Sequence, residues 1–259
     1  MTEPLLLERE RAVVDAWPAS ETELLEGWVL RVSGGPTHRG NSVATLETLG
    51  EANLVSRIER AEAWYASRGR LAMFQLGPCA PPELDAALAA RGYLREGAAL
   101  YASANPAEVV ARALSSARPL EVEQLAVDVA ARPSDVWLGV NSGSSRFASS
   151  MDVFRGFIER LSGRCRFVTV FTRSGEPAAT ALGVVSGTRF GVYAMFTRAP
   201  LRRSGAARAA LRALGQAALD SGSRELYLLV EGGNTAARNL YSQCGFVDEY
   251  GYHYRAPRI

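Results

Sequence analysis

Apolar residues along this chain recur in two rhythms, and the alternation between them maps the elements. Residues 5–17 carry Leu6, Arg9, Val13 and Trp17 on one helical face, and Pro18 ends the helix. Gly27–Ser33 and Asn41–Thr48 alternate as strands around the turn Gly34-Gly-Pro-Thr-His-Arg-Gly40. An amphipathic helix follows over 51–67, closed by Gly69. After it come a strand at Leu71–Leu76, a short helix at Pro82–Ala90 before Gly92, and a further strand near Leu100–Ala102. From Ser103 to Arg118 the chain turns alanine-rich and polar, as a connecting segment does. Beyond it the pattern predicts a helix over 146–161, strands at Arg166–Thr172, Ala178–Ser186 and Phe190–Thr197, and a long helix over Ala206–Ser221 stopped by Gly222. The run Leu226–Glu231 is a buried strand, and Asn234 starts a last helix that ends at Gly245.

The two halves echo each other. Ala90-Arg-Gly92-Tyr93 parallels Gln243-Cys-Gly245-Phe246, each closing a short helix that follows an apolar strand. Superposing the glycines sets Leu88 opposite Tyr241 and Pro81 opposite Asn234, so if the halves share a fold only the second kept the reactive groups; chance similarity of helix ends is the alternative. We expect domains at 1–104 and 119–259, joined by a linker at 105–118.

Composition narrows the function classes. With 47% hydrophobic and 22% charged residues, the 259-residue chain has the balance of a globular protein with real cores. A net charge of +2, with basic and acidic residues interspersed, gives no concentrated stripe for nucleic acid. Every one of the 29 basic residues is arginine, which removes lysine-dependent mechanisms such as a Schiff base. Three dispersed cysteines and two histidines make neither a disulfide framework nor a metal site. Leucines 5–7 run straight into Glu8-Arg-Glu10, unlike a signal-peptide core, and no apolar run approaches a membrane span. We expect a cytoplasmic protein with no metal, no nucleic acid and no membrane among its partners.

Two segments carry candidate chemistry. Arg202-Arg203-Ser204-Gly205-Ala206-Ala207 opens the long helix, where unpaired backbone N–H groups and the positive dipole end attract anions. Gly205 lets the backbone approach a phosphate, and the two arginines add charge-assisted contacts; a solvated helix start has the same composition. In the last helix Asn234, Ala237 and Tyr241 share one stripe, with about 10.5 Å of rise from the first to the third. Asn234 is also a good N-cap and Tyr241 an ordinary core aromatic, so each has a purely structural explanation.

Residues 146–255 resemble the GNAT acetyltransferase superfamily. A strand, an Arg-x-x-Gly-x-Ala turn, a long helix, a strand ending Val230-Glu231, then Asn-x-x-Ala-x-x-Leu-Tyr-x-x-x-Gly-Phe occur in the family's order and spacing. The first half is similar chiefly through the helix ending at Gly92-Tyr93. The resemblance implies an α/β (α+β) fold with a mixed, mostly antiparallel central sheet flanked by helices, as two GNAT-like units in tandem, the first degenerate. It implies acetyl-CoA as cosubstrate, its pyrophosphate held by the Arg202–Ala207 turn and its pantetheine arm by Asn234 and Ala237. Met195, Phe196 and Thr197 would pair with that arm and polarise the thioester, and Tyr241 would protonate the departing thiolate.

The activity so implied is N-acetyl transfer to a primary amine of a small molecule or amino acid derivative by direct attack. A non-catalytic acyl-CoA-binding regulatory module is the alternative. The strand Tyr193–Thr197 lacks the acid that many family members carry there. Glu231 is the first candidate base, His253 the second and Asp152 the third; loss of the amine proton to solvent is equally open. For the acceptor we expect the cleft between the halves, with Trp28, Arg31, Arg39 and Asn41 as candidate contacts for a substrate carboxylate or ring, each of which also has a structural explanation.

Overall fold

Two residues with left-handed backbone start the architecture. Glu26 and Gly27 have φ of 46° and 83°, the conformation that folds a two-residue hairpin. That turn pairs β1 (Glu21–Leu25) with β2 (Trp28–Val32), a strand the alternation did not reveal because β1 is mostly exposed. The computed structural model describes residues 3–35, 37–46, 53–115, 125–142, 151–161 and 163–258. The expected starts of the helices at 51 and 146, the expected strand end at 47–48 and the last three linker residues lie outside these.

The described chain forms two compact units, residues 1–100 with 250–259, and residues 101–249. In the first, α1 (Glu3–Asp15) precedes the hairpin. β3 (Val43–Thr45) and β4 (Phe74–Leu76) then form a parallel pair joined through α2 (Leu54–Ala66). After β4 come α3 (Leu84–Ala90) and the strand β5 (Leu94–Ala104), which crosses the unit boundary. The C-terminal strand β11 (Val247–Ala256) returns to pair antiparallel with β4, Tyr254 opposite Gln75. Strand order in this unit is β1-β2-β3-β4-β11. Trp28, Leu30, Val43 and Phe74 from the strands meet Ile58, Ala61 and Tyr65 of α2 and Leu84 and Leu88 of α3 in one core.

In the second unit, α4 (Pro106–Ser115) fills most of the segment expected to be connecting. Next are β6 (Ala126–Ala130), α5 (Asp135–Ser142) and α6 (Met151–Arg160). β7 (Cys165–Phe171), β8 (Pro177–Ser186) and β9 (Arg189–Thr197) form an antiparallel meander, with β7, β8 and the first five residues of β9 mostly buried as their apolar runs require. The long helix α7 (Ala206–Asp220) crosses to β10 (Glu225–Glu231), which lies parallel to β9, and α8 (Thr235–Gln243) follows. Strand order here is β5-β10-β9-β8-β7-β6. The fold is thus mixed α/β with mostly antiparallel pairing, flanked by helices, as expected.

Candidate functional site

The second unit's functional geometry begins at a defect in β9. Tyr193 lies opposite Leu182 and Phe196 opposite Thr180, so two residues, Ala194 and Met195, face the single Ala181. Ala194 takes φ 47°, a left-handed backbone unusual for a side chain with Cβ. Such strain costs on the order of 1 kcal/mol or more and persists only where surrounding structure holds it. On its other edge β9 pairs with β10 from Arg189–Glu225 to Val192–Leu228, and the pairing stops there. Past that point no pairing between Tyr193–Thr197 and Leu229–Glu231 is formed, so among the described residues this edge of β9 has no β10 partner, and the end of the pairing makes a fork. Met195, Phe196 and Thr197 sit on that edge, each half-buried.

Below the fork the chain makes a short 3-10 turn, Ala199–Leu201, and enters α7 through two left-handed residues, Arg203 (φ 67°) and Gly205 (φ 84°). Gly205 is the N-cap and offers no side chain to the helix start. The first-turn amides of Ala206, Ala207 and Arg208 have no intrahelical acceptor. A residue with Cβ at φ 84° would be strained, and the bare cap leaves those donors for something else. Ser204 turns its hydroxyl back onto the Leu201 carbonyl at 2.7 Å.

Asn234 caps α8, its side-chain oxygen accepting from Ala237 N at 3.2 Å, and its own N–H donates to the Glu231 carbonyl at 2.9 Å. None of α8's residues is fully buried. Tyr241 lies two turns on, half-buried, its ring 5.8 Å from Phe246. Among the described residues nothing hydrogen-bonds its hydroxyl, and burial, with a smaller push from Cys244, raises the phenol to about 12. Glu231 is exposed at the end of β10.

The other expected residues fare differently. Trp28 is fully buried, with the Arg57 guanidinium 5.0 Å above its ring and Phe74 edge-on at 5.9 Å. It is a core residue of the first unit and has no surface to offer an acceptor. Asn41 spends its amide on its own loop: its oxygen accepts from Ser33 N and Gly34 N, and its nitrogen donates to the Gly35 and Thr37 carbonyls, all within 3.1 Å. It pins the turn instead of facing a ligand. Arg39 is half-buried on the 3-10 turn His38–Gly40. His253, the second candidate base, belongs to the first unit; its Nε2 is 2.7 Å from Asp85 Oδ1, which Arg255 also clamps at 2.8 Å. That nitrogen is already taken. Asp152 is exposed on α6.

The bulge at Ala194 had no sequence signal, since neither glycine nor proline marks it. The tyrosine pair beneath it was also missed. Tyr193 and Tyr227 join hydroxyls at 2.8 Å, in the room left by Gly191. Among the described residues no group of three or more His, Cys, Asp or Glu could hold a metal ion, and no helix is long and apolar enough to cross a membrane.

Comparison with known proteins fits this geometry. The family described as "Probable histone acetyltransferase Rv0428c C-terminal" matches residues 7–255. The "Uncharacterized N-acetyltransferase YobR" of Bacillus subtilis is 27% identical over 251 residues, spanning 96% of this chain and 97% of its own. Among solved structures, a GCN5-related N-acetyltransferase from Kribbella flavida superposes with a TM-score of 0.73 at 15% identity, over 100% of this chain and 96% of that one. A tandem GNAT protein from the clavulanic acid biosynthesis pathway gives 0.62 at 13% identity, over 90% and 79%.

Proposed function

The chain belongs to the Rv0428c C-terminal acetyltransferase family within the GNAT superfamily, and from that membership we propose that it moves an acetyl group from acetyl-CoA to a primary amine of a small molecule. The observation that carries the proposal is the fork where β9–β10 pairing ends, two residues before the left-handed Ala194. A strand edge without sheet partners suits the amide-bearing pantetheine arm, which can pair with Met195, Phe196 and Thr197 as another strand would. The uncapped start of α7 suits a pyrophosphate: free N–H groups, the helix dipole and the charges of Arg202 and Arg203 all favour an anion. Ser204 and Gly205 shape that turn, and Ala206 and Ala207 present amides without bulk. Asn234 and Ala237 line the arm from α8.

In the reaction, a neutral amine nitrogen attacks the thioester carbon, the N–C bond forms and the C–S bond breaks. Backbone N–H groups beyond the bulge face the oxygen on which negative charge builds; loss of one such donor in other enzymes costs about 3 kcal/mol. Tyr241 meets the sulfur. At about 12 its hydroxyl holds its proton more tightly than a thiol near 8.5, so full transfer runs uphill. Its contribution is then a hydrogen bond to the thiolate as the C–S bond breaks, with the proton following from solvent. The nitrogen's proton leaves to Glu231 through water or to solvent directly.

The test is free-thiol release from acetyl-CoA with a panel of primary amines, alongside calorimetric titration of coenzyme A. Amine-dependent thiol release supports transfer. Tight binding with no release for any amine refutes it and leaves an acyl-CoA-binding module.

A further inference from the structure

The first unit buries a guanidinium without a carboxylate. Arg31 on β2 is fully buried. Its Nε donates to the Ser42 carbonyl at 3.0 Å, and its Nη2 to Ser42 Oγ at 3.0 Å and Gln75 Oε1 at 2.9 Å. All three acceptors are neutral, and among the described residues Nη1 has no partner. Among the described residues Glu10 is the carboxylate whose charge acts on Arg31, and its influence ranks behind burial and behind Tyr254, Tyr65 and Arg39. The Glu10 carboxylate already accepts from the Tyr250 hydroxyl at 2.6 Å, and its own burial raises its pKa, away from the charged form. A buried cation whose counter-charge is this weak is costly unless something else supplies the charge.

The surroundings add positive charge. Arg39 acts electrostatically on Arg31 and on the buried phenol of Tyr254, which stands opposite Gln75 across the β4–β11 pairing. The Arg39 guanidinium lies 5.2 Å above the ring of Trp17, and the Asn41 amide ties down the loop that leads to its 3-10 turn. Asn41 is thereby a positioning residue for Arg39. The donors left over around Nη1 are few. They suit a planar, singly charged anion better than a phosphate, whose three oxygens would each need partners.

We propose that Arg31 and Arg39, with Gln75 and Tyr254 beside them, form a binding site in the first unit for a small carboxylate, seated on Nη1 of Arg31. The inference does not depend on acetyl transfer, because it concerns binding without coenzyme A. The carboxylate belongs either to the acceptor or to a separate effector, and the two sources differ in assay.

Thermal unfolding of the full chain is followed in sodium formate and sodium acetate, against sodium chloride and sodium phosphate at matched ionic strength. A saturable rise in Tm with formate and acetate but not chloride is expected. Arg39→Met should weaken the response at least tenfold in half-saturating concentration, and Arg31→Lys likewise. Should the Arg31 variant fail to fold, the wild-type titration and Arg39→Met still decide. A linear or absent response in the wild type overturns the site, as does an unchanged one in Arg39→Met. A phosphate response equal to that of formate overturns the carboxylate class. With acetyl-CoA present, a lower KM for tyrosine than for tyramine that Arg39→Met abolishes assigns the carboxylate to the acceptor; a saturable formate response without that preference assigns it to an effector.

Discussion

Replacing Tyr241 by phenylalanine separates catalysis from stability, because the structure predicts opposite signs for the two. The hydroxyl has no hydrogen-bond partner among the described residues, so its removal leaves nothing unpaired. The ring contact with Phe246 at 5.8 Å survives the change. Burying a hydroxyl without a partner costs roughly 1–3 kcal/mol on mutational scales, and the side chain is only half-buried. The variant should therefore be as stable as the wild type or up to about 1 kcal/mol more stable in urea unfolding. Turnover should fall by about a hundredfold, or about 2.7 kcal/mol of activation free energy, within the worth of a hydrogen bond to a developing charge. Coenzyme A affinity should hold within about twofold.

The pH profile gives a second reading of the same group. A phenol at about 12 keeps its proton throughout the working range, so Tyr241 should cause no alkaline fall in kcat up to pH 10. Thiol release measured from pH 7 to 10.5 checks this, with urea melts and calorimetry on the variant beside it. Unchanged kcat in Tyr241→Phe would remove the residue from the mechanism. A loss of more than about 1 kcal/mol in stability would show that the hydroxyl is engaged in the fold.

Gly205→Val should raise the coenzyme A dissociation constant at least tenfold by calorimetry, since φ 84° strains a β-branched residue by about 1–3 kcal/mol and misdirects the α7 amides. Unaltered affinity would contradict the phosphate assignment. Gly191→Ala places a methyl 2.5 Å from Tyr193 Cε2 and 2.8 Å from the Tyr227 hydroxyl, an overpacking worth about 1–3 kcal/mol in urea melts. Asp85 is held below the usual carboxylate range, first by its hydrogen bonds to Arg255 and then by His253. A depressed carboxylate stabilises the fold above its unfolded pKa near 3.9 and loses that contribution as pH falls through the folded value. The stability gap between wild type and Asp85→Asn should thus be constant from pH 5 to 7 and shrink below pH 4; a gap that widens on acidification would refute the assignment.

What could be read in the sequence was what depends on local pattern. The apolar runs of β7 to β10 and the small-residue face of α7 give strands and a helix wherever they occur, and helix starts and stops are written in Asn234, Gly205 and Gly245. Two features escaped because they are relations between distant residues. The bulge at Ala194 arises from the register of β8 against β9, and no residue type there demands it. Trp28 and Asn41 stood in a polar-looking hairpin, yet α2 and the loop itself claim them. A tryptophan beside arginines has the same composition whether it faces a ligand or a core, and only the α2 packing decides.

Both units contain a parallel strand pair joined through a helix, with a second short helix after it, and the differences between them bear on the proposal that coenzyme A binds the second alone. In the second unit the joining helix begins at Gly205 with no side-chain cap. In the first it begins at Asn53, whose side-chain oxygen takes the N–H groups of Val55 at 3.0 Å and Ser56 at 3.4 Å. Those are the donors a phosphate would need. The short helix of the second unit offers a half-buried phenol at Tyr241; that of the first has Leu88, fully buried in the core. Its first turn also holds the ionised Asp85, locked by Arg255 and His253, where the superposition that sets Leu88 opposite Tyr241 puts Arg238 in α8. Each exchange is cheap by itself: an amide for a glycine, a leucine for a tyrosine, a carboxylate for an arginine. Together they close the helix start and the short-helix face on which the proposed coenzyme A site depends, and they add stability, because capped amides and a buried leucine favour folding where a free helix start and a lone phenol do not.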